Sequence, residues 1–86
     1  MTLETAQTIA LKALGFVAGS EGALDRLMEL SGLDRLTLRD RAGETEVLAS
    51  LLDFLLSDEQ LLVDFCNGES LDPKAVHMAR HLLGGP

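Results

Sequence analysis

The segment from Val47 to Leu56 most constrains how this chain can fold, because all but two of its residues are apolar. The two polar residues of the segment are Ser50 and Asp53, and polar residues also flank it at Glu46 and Ser57. These four positions are spaced four, three and four residues apart. That spacing places them in one narrow stripe of an α-helix. A helix that is apolar around most of its circumference is buried on most sides. We therefore predict a helix over residues 45–56 and place it at the centre of the fold.

Capping and stop signals divide the rest of the chain into five further helices. Ser, Thr and Asp side chains satisfy the free N–H groups at a helix start, and glycine favours the left-handed conformation that follows a helix end. The starting signals are Thr2, Ser20, Asp34, a capping box from Ser57 to Gln60 and the Asp72-Pro73 pair, and the stop signals are Gly32, Gly43 and Gly68. The predicted helices span about 3–18, 20–31, 35–42, 45–56, 58–67 and 73–83.

These segments predict an all-α class and a single helical domain over residues 1–86. Because the six helices are short and unequal, we expect a compact bundle with steep crossings around a buried fourth helix. In the first helix, Ala6, Ala10 and Ala13 form a strip of small residues where another helix can approach closely. A tight crossing there would also account for Gly15, which weakens a helix interior.

The charge of the chain is unevenly distributed along its length. The net charge is −7, and residues 42–73 contain eight acidic residues and no basic one. Binding to phosphate groups depends on clustered Lys and Arg, so this distribution argues against DNA, RNA and an anionic membrane surface as partners.

The composition predicts a cytoplasmic protein. Cys66 is the single cysteine, which fits a reducing compartment. The longest stretch without charge, Ala13 to Ser20, is far shorter than the roughly 18 residues that a membrane-spanning helix needs. A mean hydropathy of +0.19 is high for so small a domain and suggests apolar contact surface and self-association.

Few side chains are arranged in a way that suggests chemistry. His77 and His81 share a face of the sixth helix, but they have no third ligand nearby, and we interpret them as a solvated polar face. Cys66 lies on the apolar side of the fifth helix, where cysteine behaves as a small hydrophobe. Asp53 and Asp64 lie on separate polar stripes and are interpreted as solvated. We predict no catalytic residue, metal, cofactor or small-molecule ligand, and no enzyme activity.

The only basic cluster of the chain lies in the third helix. It contains Arg35, Arg39 and Arg41, and Leu38 lies among them. We predict these four residues to be an interaction surface. Helices 3 and 4 can alternatively be interpreted as a helix-turn-helix, but the fourth helix carries acids, has no base and is too apolar to face a DNA groove.

Three stretches together are similar to known sequences. They are AQTIALKALGFVA (Ala6 to Ala18), LLDFLLSDEQLLVDFC (Leu51 to Cys66) and LDPKAVHMARHLL (Leu71 to Leu83), with Gly32-Leu33 between the first two. In this order they resemble a family of short bacterial proteins classed as a domain of unknown function. The resemblance covers nearly the whole chain and implies an all-α domain in a bacterial cytoplasm. It implies no activity, ligand or site residue.

Composition, charge and motifs together favour a non-catalytic protein–protein interaction or regulatory module. Its expected partner is another protein or a second copy of the chain. The alternatives are a small DNA-associated regulator that uses helices 3 and 4 and, with less support, a metal-binding protein.

Overall fold

Residues 1–84 are described by a computed structural model, and within them the chain forms six α-helices and no strand. The helices are α1 (Leu3–Ala18), α2 (Glu21–Ser31), α3 (Arg35–Asp40), α4 (Thr45–Leu56), α5 (Glu59–Glu69) and α6 (Pro73–Leu82). The all-α bundle predicted from the sequence is confirmed. Its radius of gyration of 11.6 Å is close to the roughly 12 Å expected of one compact domain of this length.

The central position predicted for α4 is also confirmed. The helix packs against α1, α2, α5 and α6, and its polar stripe is the side that stays exposed. Its buried residues are Val47, Leu48, Ala49, Leu51, Leu52, Phe54 and Leu55. Burial of so many large apolar side chains, each contributing about 1.5–3 kcal/mol, makes α4 the main source of hydrophobic stabilisation.

The small-residue strip of α1 is fully buried, as its composition predicts. Ala6, Ala10 and Ala13 have no exposed surface, and α1 packs against both α4 and α6. The tight crossing does not account for Gly15, however. This glycine is exposed, and a Cβ atom added to it would have no neighbour within 4 Å.

Three of the five predicted helix-start caps form, and so does one of the three predicted glycine stops. The side chains of Thr2, Asp34 and Asp72 accept hydrogen bonds from the N–H groups of Thr5, Thr37 and Lys74 at 3.1, 2.7 and 2.9 Å. Gly32 adopts the left-handed conformation after α2, with a φ of 72°. Ser20 is at the N-cap position of α2, but its side chain makes no capping hydrogen bond.

The predicted boundaries of α5 are wrong at both ends. Ser57 closes α4 by donating its hydroxyl to the carbonyl oxygen of Phe54 (2.7 Å), so Asp58 caps α5 in its place. At the other end the helix continues through Gly68, and Ser70 adopts the left-handed conformation. The extension lets the N–H of Leu71 bond to the carbonyl oxygen of Cys66 and places Leu71 against the core.

Helix α3 is also shorter than predicted. It ends at Asp40, and Gly43 does not have a positive φ. A turn follows at once, because the guanidinium of Arg41 donates two hydrogen bonds of 2.9 Å to the carboxylate of Glu44. The N–H of Glu44 also bonds to the carbonyl oxygen of Arg41, so these two residues close a turn in which Gly43 does not adopt the left-handed conformation.

Candidate functional site

A cleft with two arginines at its edge lies where α1, α2 and α3 meet. Its volume is about 340 Å³, and its lining residues are Leu14, Ala18, Leu24, Arg35, Leu38, Arg39 and Ala42. Five of these seven side chains are apolar, and they come from the C-terminal half of α1, from α2 and from α3 with the turn behind it. The cleft therefore combines an apolar floor with two cationic groups.

The cap and anchor of α3 position the two arginines. The Asp34 carboxylate accepts the N–H of Thr37, and this bond lowers the pKa of Asp34 because it stabilises the charged form. Leu38 is only 5% exposed and holds the helix against the core. Arg35 and Arg39 are four residues apart and share one face of α3. Between residues 1 and 84, neither arginine forms a hydrogen bond or ion pair with another group.

The structure divides the interaction surface predicted from the sequence. Arg35, Leu38 and Arg39 line one cleft, with Leu38 in its buried floor. Arg41 lies outside it and is engaged by Glu44, whose hydrogen bonds and charge raise the pKa of Arg41. The same contacts lower the pKa of Glu44. Arg41 therefore stabilises the turn after α3 and is not available in the same way for a partner.

Sequence reasoning missed the part of the cleft contributed by other helices. Leu14 and Ala18 are one turn apart on α1, and Leu24 belongs to α2. The spacing of Leu14 and Ala18 indicates a common face. No local pattern, however, indicates that this face meets α3.

The exposed side of α4 is acidic and is flanked by α2 and α6. Glu46, Ser50, Asp53 and Ser57 are exposed, whereas seven apolar residues of the helix are buried in the core. A recognition helix in a DNA groove needs an accessible face that carries bases or amides toward the DNA. The arrangement of α4 gives the helix-turn-helix alternative no support.

The two aspartates weighed as a carboxylate pair are engaged separately. Asp53 accepts a hydrogen bond from Nε of Arg80 at 2.7 Å, which joins α4 to α6. Asp64 accepts one from Nε2 of Gln60 at 2.9 Å within α5. The structure does not bring the two carboxylates together into a general acid–base site.

The single cysteine is part of the core. Cys66 is buried beside Phe65, and burial raises the pKa of its thiol, with a smaller contribution from the negative charge of Asp72. A raised pKa reduces the thiolate fraction at neutral pH, and the thiolate is the nucleophilic form. The interpretation of Cys66 as a small buried hydrophobe is consistent with this environment.

The two histidines lie on the exposed side of α6. They line a depression of about 320 Å³ together with Met1, Met78 and Leu82. Among residues 1–84, no three His, Cys, Asp or Glu side chains come close enough to hold a metal ion.

No helix between residues 1 and 84 combines the length and the hydrophobicity that a membrane-spanning segment needs.

Within residues 1–84 the chain is a small all-helical domain with an arginine-edged cleft between α1, α2 and α3. The chain belongs to the family described as a protein of unknown function (DUF3572), whose family model matches residues 3–86. This match confirms the resemblance to a domain of unknown function seen in the sequence. No curated protein and no solved structure matches the chain.

Proposed function

We propose that this domain is a non-catalytic interaction module that binds an acidic segment of a partner protein in the cleft between α1, α2 and α3. The observation that carries the proposal is the combination of an apolar floor with Arg35 and Arg39 at the edge. Interfaces commonly combine apolar pockets with arginine, which is enriched at the residues that dominate binding energy.

The apolar floor offers room for a side chain from the partner. Leu14 is half-buried, Leu24 and Leu38 are buried, and Ala18 and Ala42 contribute no bulk that would close the space. Desolvation of one Leu or Phe side chain in such a pocket contributes about 1.5–3 kcal/mol. We therefore expect the partner to insert a large apolar side chain.

The charges around the cleft determine which segments of a partner protein it attracts. The whole chain carries −7, yet the edge of this cleft presents two guanidinium groups without an acidic partner in the described residues. A guanidinium can donate paired hydrogen bonds to one carboxylate. Like charges elsewhere on the domain repel an acidic segment, so that it is directed to this cleft.

A non-catalytic role is part of the proposal. Acyl or phosphoryl transfer needs a nucleophile, a base or a metal in mutual reach. Cys66, however, is buried with a raised pKa, and Asp53 and Asp64 are each engaged by a separate partner. The cleft itself is lined by aliphatic side chains and arginines.

Selection of random peptides displayed on phage against the immobilised domain tests this function. We expect enrichment of sequences in which Asp or Glu flanks Leu or Phe. An enriched peptide carrying a fluorescent label is then titrated and followed by anisotropy. Arg39→Glu should weaken its binding by about tenfold or more, because loss of a charged hydrogen bond costs about 1.5–3 kcal/mol. Ala18→Phe should also weaken binding, because the ring fills the cleft.

Lys74→Glu is the matched control, since it makes the same change of net charge on α6, away from the cleft. Equal weakening by Lys74→Glu would contradict a specific site, as would selected peptides without acidic residues. Sedimentation of the domain alone over a range of concentrations distinguishes a second copy of the chain from a different partner. If the domain associates with itself and Arg39→Glu abolishes this association, the occupant of the cleft is the acidic, exposed side of α4 in a second copy.

A further inference from the structure

The depression on α6 is lined by both histidines and by two of the three methionines of the chain. The chain contains two histidines and three methionines, and both histidines line this depression with Met1 and Met78. Met1 is 46% and Met78 50% exposed, whereas Met28 packs against the core. Two exposed thioethers and both imidazoles therefore line the same depression.

The helix places three of these donors on one side. His77 and His81 are one turn apart, and Met78 precedes His81 by three residues, so that their side chains are neighbours on the surface of α6. Met1 reaches the same depression from the start of the chain. Within the described range, neither imidazole is hydrogen-bonded to another group, which leaves the ring nitrogens of both histidines accessible.

We propose that His77, His81, Met78 and Met1 form a binding site for a cuprous ion. Thioether sulfur is a soft ligand that selects Cu(I), and imidazole binds copper in either oxidation state. Among residues 1–84, no carboxylate lines this depression, and carboxylate oxygen is the ligand that Mg²⁺ and Ca²⁺ favour. This site is separate from the arginine-edged cleft and does not depend on the function proposed for that cleft.

Neighbouring charge favours a singly charged ion. Lys74 lies one turn before His77 on the same face of α6. Its ammonium group repels a divalent cation twice as strongly as a monovalent one. Arg80 is directed elsewhere, since it donates to Asp53 (2.7 Å) and to the carbonyl oxygen of Gly84 (2.6 Å). Zn²⁺ and Cu²⁺ are therefore expected to bind more weakly than Cu⁺.

Competition for Cu(I) against a coloured chelator, under anaerobic conditions with ascorbate, tests the site. The full chain without a histidine tag should remove one copper ion per molecule from the chelator. Loss of an outer-shell contact around a metal already costs about 10- to 100-fold in affinity. We therefore expect His77→Ala, His81→Ala and Met78→Leu each to weaken Cu(I) binding by at least about tenfold. Met28→Leu is the matched control and should leave the affinity unchanged.

X-ray absorption at the copper edge examines the ligands directly. The proposal predicts scattering from both nitrogen and sulfur neighbours, with the sulfur contribution reduced in Met78→Leu. Circular dichroism checks that each variant remains helical, which is expected because His77, Met78 and His81 are exposed. The proposal is overturned if copper stays with the chelator, if Met78→Leu binds Cu(I) as tightly as the natural chain, or if the spectrum contains no sulfur contribution.

Discussion

Gly15 and Ser70 show how single residues lower the stability of this fold. Gly15 lies in the interior of α1 on its exposed side, where a side chain would meet open space. Ser70 has a φ of 55°, in the left-handed region that favours glycine. Glycine in a helix interior costs about 0.5–1 kcal/mol relative to alanine, and a left-handed residue with a side chain costs about 1–2 kcal/mol. Position 15 therefore favours a residue with a side chain, and position 70 favours glycine.

Gly15→Ala and Ser70→Gly are both expected to raise the free energy of unfolding, by about 0.5–1 and about 1 kcal/mol respectively. Urea denaturation followed by circular dichroism measures the change. Gly32→Ala is the control with the opposite sign, because Gly32 has a φ of 72° and its substitution should lower stability. Destabilisation by Gly15→Ala would show that this position makes a contact absent from the structure.

Asp58 makes the stability depend on pH at the acidic end. A hydrogen bond from Arg26 lowers the pKa of its carboxyl, and a second from the N–H of Leu61 acts in the same direction. A carboxyl whose pKa is lower in the folded state stabilises that state when the pH is above the ordinary pKa of 3.8. This stabilisation is lost as the pH falls through the pKa of the folded state. Asp34 and Glu44 have lowered pKa values and add to the same trend.

We therefore expect the free energy of unfolding to decrease as the pH falls below about 4. Asp58→Asn removes one of the groups responsible, so it should be less stable than the natural chain at neutral pH, and the difference should shrink at about pH 2.5. Urea denaturation at both pH values measures this. Asp25→Asn, an exposed substitution on α2, serves as the control. A difference that stays constant with pH would contradict the role of the Asp58 charge.

The packing of the helices against one another depends on the size of their side chains as well as on the polarity of those side chains. The buried alanines of α1 allow close approach to α4 and α6, and large residues on α4 fill the remaining space. Arg26 connects α2 to α4 and to the start of α5, because its guanidinium lies over the Phe54 ring, 5.6 Å from the centroid, and donates to Asp58. A cation above an aromatic ring contributes about 0.5–1 kcal/mol at an exposed site. The helices are thus fixed both by the core and by contacts at its edge.

Enlarging the alanine strip tests the close approach of α1. Ala10→Leu should lower the free energy of unfolding by about 1–3 kcal/mol, because Ala10 is fully buried and the added atoms force the helices apart. Thr8→Leu places the same side chain on the exposed face of α1 and should change stability by less than about 0.5 kcal/mol. Chemical denaturation of both variants measures the difference. Similar results for the two substitutions would mean that α1 is not tightly packed at Ala10.

At the scale of the whole molecule, residues 1–84 form one hydrophobic core, to which each of the six helices contributes buried residues. A single core of this size is expected to unfold in one cooperative transition. Cys66 provides an internal probe of that transition, because its thiol is buried and has a raised pKa in the folded state. Its reactivity should therefore report the opening of the core.

The folded domain should react with an aromatic disulfide reagent about a thousandfold or more slowly than the domain in urea. The reaction rate should increase along the same urea curve as the loss of helix. Val63→Cys in a Cys66→Ala background is the control, and its rapid reaction is expected because Val63 is exposed. Fast labelling of Cys66 in the absence of urea would indicate local opening of α5.

The candidate cleft is only partly predictable from the sequence. The basic cluster and the i, i+4 relation of Arg35 and Arg39 are local patterns, and both are present in the structure. Exclusion of Arg41 from the cleft depends on its contact with Glu44 across a turn whose position the sequence did not predict. The lining from α1 and α2 depends on how distant segments pack, which local periodicity does not encode.

What the sequence determines by itself is the identity and approximate extent of the helices and the burial of α4. These properties follow from capping side chains, glycine positions and apolar spacing, whose effects act within a few residues. The tertiary structure alone decided that α5 continues past Gly68, that Leu38 forms the floor of a cleft and that Met1 and His77 line the same depression. Each depends on contact between distant segments, where burial outweighs the preferences of single residues.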